Sequence, residues 1–179
     1  MKRFLCCTGL LVVAATLCAQ QQPPSPPETA TGTIGGKSIT IAYSSPRVKG
    51  RAGHIFGPGG LISHNPHYPV WRGGANAATT LKADANLKIG DIDVPAGTYT
   101  LFVDISDPDN WKLIVNKKTG EWGLAYDKSA DLGETPMTMS TPPSTIEDLK
   151  YTIADSGGGK GTLTLEWENH VASVPISAE

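Results

Sequence analysis

The amino-acid sequence predicts an all-β protein, a single domain built as an antiparallel β-sandwich. Apolar residues recur at every second position in several segments, which is the period of a strand with one buried face. The breaks between these segments consist of turn-forming residues, and the 179 residues include 20 glycines and 14 prolines. No segment after the N-terminal region carries the apolar stripe of a long amphipathic helix. The pattern argues against a helical bundle and a coiled coil.

The first 19 residues have the features of an export signal. Lys2 and Arg3 precede an apolar run from Phe4 to Leu17, and Ala19 stands before three glutamines. The apolar run has 14 residues, fewer than the roughly twenty that a membrane-spanning helix needs. We therefore expect cleavage after Ala19 and a periplasmic or secreted mature chain without a membrane span.

All three cysteines, Cys6, Cys7 and Cys18, lie in the predicted signal. Cleavage after Ala19 removes them, so the mature chain is expected to have no disulfide and no thiol chemistry. Leu17 stands directly before Cys18, where a lipobox requires a small residue, and lipid anchoring at Cys18 is not expected. The 160 residues that remain of the 179 are enough for one core without cross-links.

A linker and a strand-rich domain are expected after the signal. Residues 20–31 are rich in proline and glutamine and predict a disordered linker, so the domain is expected over residues 32–179. Five segments of this domain alternate apolar and polar residues: 39–43, 99–105, 111–115, 149–153 and 163–167. Turn residues stand between strands at 35–36, 90–91, 95–97, 106–110, 156–159 and 169–170. We expect about eight to ten strands and one short turn of helix around residues 144–149.

Charge and motifs exclude several partners. The formal net charge is −2, and loss of Lys2 and Arg3 with the signal makes it −4, so no nucleic-acid or anionic-lipid partner is expected. The glycine-rich stretches at 31–38 and 157–162 lead into strands and lack the helix N-terminus of a phosphate-binding loop. The chain has no G-x-S-x-G nucleophile motif. No cofactor is predicted.

Three histidines are weak candidates for metal ligands. His54, His64 and His67 all fall in the long irregular segment 44–74, the place where functional loops are expected. The nearest carboxylate after His67 is Asp84, and a metal site usually needs a third or fourth ligand. Loop histidines also commonly bond to the backbone or to solvent. We therefore assign no metal site.

Carboxylates offer an alternative function, that of a hydrolase. A glycosidase-like acid pair could be drawn from five residues: Asp104, Asp107, Asp109, Glu166 and Glu168. Asp107 and Asp109 stand in a predicted turn, where aspartate is common for structural reasons. Glu166 and Glu168 alternate with Trp167 and are expected to face solvent.

Several motifs in order carry a family resemblance. Residues 43–51 read Y-S-S-P-R-V-K-G-R, residues 55–57 read I-F-G, and residues 71–79 read W-R-G-G-A-N-A-A-T. Further on, residues 95–102 read P-A-G-T-Y-T-L-F, followed by a tryptophan at 111 and I-V-N at 114–116. With these motifs the chain resembles, over residues 36–167, the secreted bacterial family catalogued as domain of unknown function 2911. It departs from the family pattern between residues 60 and 70. The resemblance implies export and a β-rich single domain, and it implies no established activity.

The same motifs supply the candidate ligand-binding residues, which are Tyr43, Arg47, Arg51, Trp71, Arg72 and Asn76. Guanidinium groups fork onto carboxylates and an indole stacks on rings or sugars, so the set suits a small polar or anionic ligand or a saccharide. The structural alternative places Trp71 in the core, pairs Arg72 with a carboxylate such as Asp104, and has Asn76 cap a turn. The favoured function is a non-catalytic binding or accessory domain. The alternative is a periplasmic or secreted hydrolase using carboxylates or a His-bound metal, so enzymatic activity is left open.

Overall fold

A computed structural model describes residues 23–178, and the predicted signal at residues 1–19 lies outside this range. The described residues form thirteen strands and two short 3-10 helices, at Leu61–His64 and Lys128–Ala130. The strands are β1 (Pro27–Ile34), β2 (Lys37–Ser44), β3 (Val70–Trp71), β4 (Thr79–Ala83), β5 (Leu87–Ile89), β6 (Ile92–Val94), β7 (Gly97–Asp104), β8 (Lys112–Asn116), β9 (Asp131–Pro136), β10 (Thr138–Ser140), β11 (Ile146–Gly157), β12 (Lys160–Glu168) and β13 (His170–Ala178). Over residues 23–178, no helix has the length and apolar character needed to cross a membrane.

Two antiparallel sheets pack face to face, which confirms the predicted single β-sandwich. The first sheet has the order β1-β2-β4-β7-β8-β9, with β3 also paired to β7. The second has the order β11-β12-β13-β5-β6, with β10 also paired to β13. Short strands such as β3 and β5, of 2 and 3 residues, raise the total above the expected eight to ten, because so few residues give no readable alternation.

The core lies between the sheets and is built by the alternating positions. Ile39 and Ile41 of β2 and Leu163 and Leu165 of β12 belong to one buried cluster, and all four side chains are almost fully covered. Burial of such side chains contributes about 1.5–3 kcal/mol each. The central strand β7 departs from the alternation, since its other face is also covered. Phe102 packs there in a second small cluster, against which Tyr126 lies.

Two segments differ from the expected secondary structure. The linker predicted over residues 20–31 is wrong for residues 27–31, because β1 begins at Pro27 and pairs with β2 along its whole length. Proline is tolerated as the first residue of an edge strand, and the threonines that follow favour a strand. The expected helical turn around residues 144–149 is also wrong, since β11 begins at Ile146 and buries Leu149.

Hairpin turns fix the ends of the sheets. Gly35 and Gly36 join β1 to β2 with φ of 56° and 78°, which a two-residue hairpin turn permits and glycine adopts without strain. Glu168 stands at the first position of the corresponding turn between β12 and β13, also with a positive φ, of 56°. Glycine or asparagine is usual at such a position, so Glu168 is an unusual choice.

Candidate functional site

The irregular segment after β2 is tied to β11 by short hydrogen bonds. Ser45 donates its hydroxyl to the carbonyl oxygen of Leu149 at 2.6 Å, and Leu149 donates its amide to Pro46 at 3.0 Å. The amide of Val48 donates to the carbonyl oxygen of Glu147 at 2.8 Å. These contacts hold the first part of the segment against the second sheet. They also fix the position from which the rest of the irregular segment continues.

Three of the predicted ligand-binding residues are engaged within the fold. Arg47 forms an ion pair with Asp148, with Nη1 2.6 Å from Oδ1. Arg51 donates to the carbonyl oxygens of Val48 at 3.0 Å and of Arg47 at 2.5 Å. The hydroxyl oxygen of Tyr43 accepts a hydrogen bond from a backbone amide of β11 at 3.4 Å. None of the three lines the cavity described next, and a ligand role for them stays a prediction.

A cavity of about 280 Å³ lies at the side of the irregular segment. Its walls are mostly apolar, with one cation and a few polar groups, and they are formed by Pro46, Leu61, Ile62, His64, Asn65, Trp71, Arg72, Gly74, Ala75, Leu124 and Trp167. Trp71 and Trp167 stack with ring centroids 5.9 Å apart and an interplanar angle of 22°. Both indoles are 3% exposed, so they form the inner wall where the cavity meets the core.

Two residues that line the cavity each carry a hydrogen-bond donor without a partner among the described residues. The donors are Nε of Arg72 and Nε1 of Trp167, and both atoms are buried. Buried polar groups are nearly always hydrogen-bonded, so each exception calls for an explanation. By contrast, the indole of Trp71 donates to the carbonyl oxygen of Gly74 at 3.1 Å. Two of the residues that line the cavity therefore each carry a buried donor that lacks an acceptor among the described residues.

Arg72 is half-buried and has no carboxylate partner among the described residues. Its Nη1 donates to the carbonyl oxygen of Asn76 at 3.3 Å, and within residues 23–178 it forms no ion pair. Burial lowers the pKa of Arg72 from its ordinary value. The pairing with Asp104 that the structural alternative proposed is wrong, since Arg72 and Asp104 form no ion pair, and Oδ1 of Asp104 accepts a hydrogen bond from the amide of Ser106.

Asn76 occupies the turn position that the structural alternative expected. Its φ is 57°, in the left-handed region that asparagine tolerates. Its side-chain amide donates to the carbonyl oxygen of Ser25 at 3.3 Å, close to where the described chain begins. Its own carbonyl oxygen accepts from Arg72, so Asn76 positions the guanidinium from outside the cavity.

The loop after β8 covers Arg72. Gly123 lies directly on the side chain of Arg72, leaving no room for a Cβ atom there, and Trp122 forms an isolated bridge with Ala77. Sequence reasoning missed Leu61 and Leu124 in this site because single leucines in loops give no periodic signal. Together with Trp122 they are the large apolar side chains that are exposed in the described part of the chain, at 46%, 40% and 61%.

The three candidate histidines do not converge. His64 borders the cavity, with Nδ1 3.4 Å from the carbonyl oxygen of Leu61. His67 lies edge-on to the ring of Tyr126, at a centroid distance of 5.9 Å. Within residues 23–178, no group of three His, Cys, Asp or Glu side chains is arranged to hold a metal ion. A role for His54 as a metal ligand stays an untested prediction.

The expectation that Glu168 faces solvent is wrong, since this residue is 2% exposed. Its positive φ turns the side chain under the irregular segment, where Oε1 accepts a hydrogen bond from the amide of Gly53 at 2.5 Å. Glu166 instead pairs with Lys150 at 3.0 Å, at the rim of the sheet. The strand period predicted the direction of Glu166, but it fails at the turn that begins with Glu168.

Oε2 of Glu168 faces an imidazole. Nδ1 of His170 is 3.5 Å from it, and this nitrogen is buried without a well-formed hydrogen bond to any described residue. The ring stacks on Trp111 at a centroid distance of 4.9 Å and packs against Phe56 at 4.6 Å. Burial lowers the pKa of His170 below its ordinary value, and the nearby carboxylate of Glu168 opposes this effect. Sequence reasoning gave His170 no role beyond a turn.

The lowered pKa of His170 predicts a stability loss in mild acid. The unfolded chain takes up a proton near pH 6.5, the ordinary value, before the folded chain does, so the free energy of unfolding falls as pH drops through the folded pKa. Among the described residues, Glu168 is the acidic group that acts on His170, and Asp109 lines a cavity that His170 also borders. The free energy of unfolding, measured in urea at about pH 7.5 and about pH 5, should fall less in His170→Phe than in the parent. Equal losses would contradict this account.

Comparison with known proteins agrees with the sequence resemblance. A family model described as "Protein of unknown function (DUF2911)" matches residues 25–176, a longer stretch than the expected 36–167. Comparisons with curated proteins and with solved structures found no match. The match covers most of the chain and nearly all of the sandwich, including the described residues that line the cavity. The chain therefore belongs to the family of proteins of unknown function DUF2911.

Proposed function

We propose that this protein is a non-catalytic binding domain for a small organic anion with an apolar body. The observation that carries the proposal is that two residues lining one cavity, Arg72 and Trp167, each carry a buried donor without a partner among the described residues. A ligand acceptor such as a carboxylate or sulfonate oxygen complements the guanidinium of Arg72, whose side chain lines the cavity. A charge-assisted hydrogen bond to a guanidinium is also stronger than one between neutral groups.

The rest of the cavity favours an apolar ligand body. Leu61, Ile62 and Leu124 supply aliphatic wall, and two of the three are exposed where an empty surface would normally be polar. None of the described residues lining this cavity is acidic. A cavity of about 280 Å³ lies near the lower end of ligand-pocket volumes. This size suits a single-ring or short-chain carboxylate.

We place this binding role outside the cytoplasm, in the periplasm or the medium. The basis is the predicted signal at residues 1–19 and the predicted absence of cysteines after it. The hydrolase alternative stays a prediction. Of its components, the structure brings Glu168 beside His170, a different place from the cavity of Arg72.

The proposal is tested by the charge of a matched pair of probes. Calorimetric titration should show 4-bromobenzoate binding about tenfold more tightly than 4-bromobenzamide, because the amide has nearly the same shape and no charge. The preference should shrink as salt is added, since the guanidinium is only half-buried. Equal affinity for both probes, or no binding of either, would contradict the proposal that the ligand is an anion.

A further inference from the structure

His170 separates two cavities that the proposed function does not use. One, of about 410 Å³, has polar walls that include Asp109, Ser140, Thr141 and Asn169. The other, of about 230 Å³, has aromatic walls that include Phe56, Tyr68 and Trp111. Both are bordered by Pro108 and His170, and neither shares a lining residue with the cavity of Arg72.

We propose that His170 is the central hydrogen-bonding group of a second binding site, for a neutral, hydroxyl-rich ligand of the saccharide class. In this site Glu168 is the positioning residue, which acts through the imidazole. The ligand's hydroxyl groups occupy the polar cavity, and its C–H face lies toward the aromatic one.

The geometry around His170 sets the direction of its hydrogen bonds. Nδ1 faces the carboxylate of Glu168 at 3.5 Å, and the negative charge there favours the neutral tautomer with its proton on Nδ1, which leaves Nε2 as the acceptor. The contacts with Trp111 and Phe56 on the ring fix its plane. An oriented acceptor at the junction of two cavities is suited to receive a hydrogen bond from a ligand hydroxyl.

The turn between β12 and β13 does not itself require a buried glutamate at position 168. A positive φ at this position favours glycine, and burial of a carboxylate is costly. Its bond from the amide of Gly53 holds Oε1 in place and leaves Oε2 directed at His170. Strained and buried residues of this kind concentrate where the fold supports a ligand.

The chemistry of the walls selects the ligand class. The described residues that line the two cavities include no lysine or arginine, so they offer an anion no counter-charge. The hydroxyls of Ser140 and Thr141, the amide of Asn169 and the carboxylate of Asp109 complement ligand hydroxyls as donors and acceptors. Sugars combine such hydroxyls with apolar C–H faces that pack on aromatic rings.

Backbone amide shifts in NMR spectra test this site, with glucose, N-acetylglucosamine, cellobiose and maltose as probes at millimolar concentration. At least one sugar should shift the amides of Thr141, Asn169 and His170. The affinity should fall about tenfold in His170→Phe, which keeps an aromatic ring, and should stay unchanged in Arg72→Gln. No shifts with any probe, or equal affinity in His170→Phe, would overturn the proposal. If His170→Phe fails to fold, Thr141→Val, an exposed and nearly isosteric change, should weaken binding severalfold, and an unchanged affinity would overturn it.

The role of Glu168 has its own readout. In Glu168→Gln the amide oxygen can still accept from Gly53, but the amide nitrogen donates toward Nδ1 of His170 and reverses the tautomer. Imidazole nitrogen shifts should show an unprotonated Nε2 in the parent and an unprotonated Nδ1 in the variant, with sugar affinity reduced. The same tautomer in both proteins would overturn the positioning role. Binding of 4-bromobenzoate should be unaffected in His170→Phe and in Glu168→Gln. This proposal and the proposed function can therefore fail separately.

Discussion

Replacing Arg72 by glutamine is expected to weaken the binding of 4-bromobenzoate about ten- to hundredfold. The change removes charge-assisted hydrogen bonds worth about 1.5–3 kcal/mol, and each 1.4 kcal/mol is about a factor of ten. The melting temperature should change little. Arg72 makes one hydrogen bond of 3.3 Å to Asn76 and forms no ion pair within the described residues.

Arg47→Gln is the matched control, because it removes the same charge from the same irregular segment. It breaks a partly exposed pair with Asp148, so stability should fall by no more than about 1 kcal/mol, and the dissociation constant should stay within about twofold. Calorimetry of the parent and both variants measures the two changes in affinity, and thermal melts measure the two changes in stability. Equal loss of affinity in the two variants would indicate net charge rather than a site. A sharp fall of the melting temperature in Arg72→Gln would favour a structural role for Arg72.

Replacing Trp71 by alanine is expected to destabilise the protein by about 3–5 kcal/mol. The indole is 3% exposed, stacks on Trp167 and lies edge-on to Phe56. Its loss leaves a hole between the sheets at the inner wall of the ligand cavity. Removing it also eliminates the 3.1 Å hydrogen bond to the carbonyl oxygen of Gly74.

Trp122→Ala makes the same substitution at a tryptophan that is 61% exposed. Surface changes of this kind usually fall within about 0.5 kcal/mol. Urea unfolding of the two variants at neutral pH should therefore separate them by several kcal/mol. Similar losses in both would show that Trp71 is not part of the core that supports the cavity.

The strands could be predicted where one face of the sheet is buried and the other is exposed to solvent. Ile39 and Ile41 in β2, and Leu163 and Leu165 in β12, alternate because the pleat sends successive side chains to opposite faces. The alternation is lost in β7, whose outer face is covered by the loop that carries Tyr126. The residues that cover this face are distant in sequence, so the local sequence of β7 does not predict that the face is buried.

The candidate site could be predicted only in part, for the same reason. Trp71 and Arg72 belong to one sequence motif that predicts a ligand site, and both line the cavity. Trp167 and Leu124 reach it from other parts of the chain, and their contribution depends on how the two sheets meet. Burial of Glu168 follows from a positive φ at a turn, which the alternation of β12 does not encode.

A crystal structure with 4-bromobenzoate tests the central claim most directly, because anomalous scattering from bromine locates the ligand independently of the protein model. The account predicts bromine against Leu61 and Leu124, with a carboxylate oxygen within hydrogen-bond distance of the Arg72 guanidinium. Bromine found only elsewhere, or a carboxylate directed away from Arg72, would contradict it.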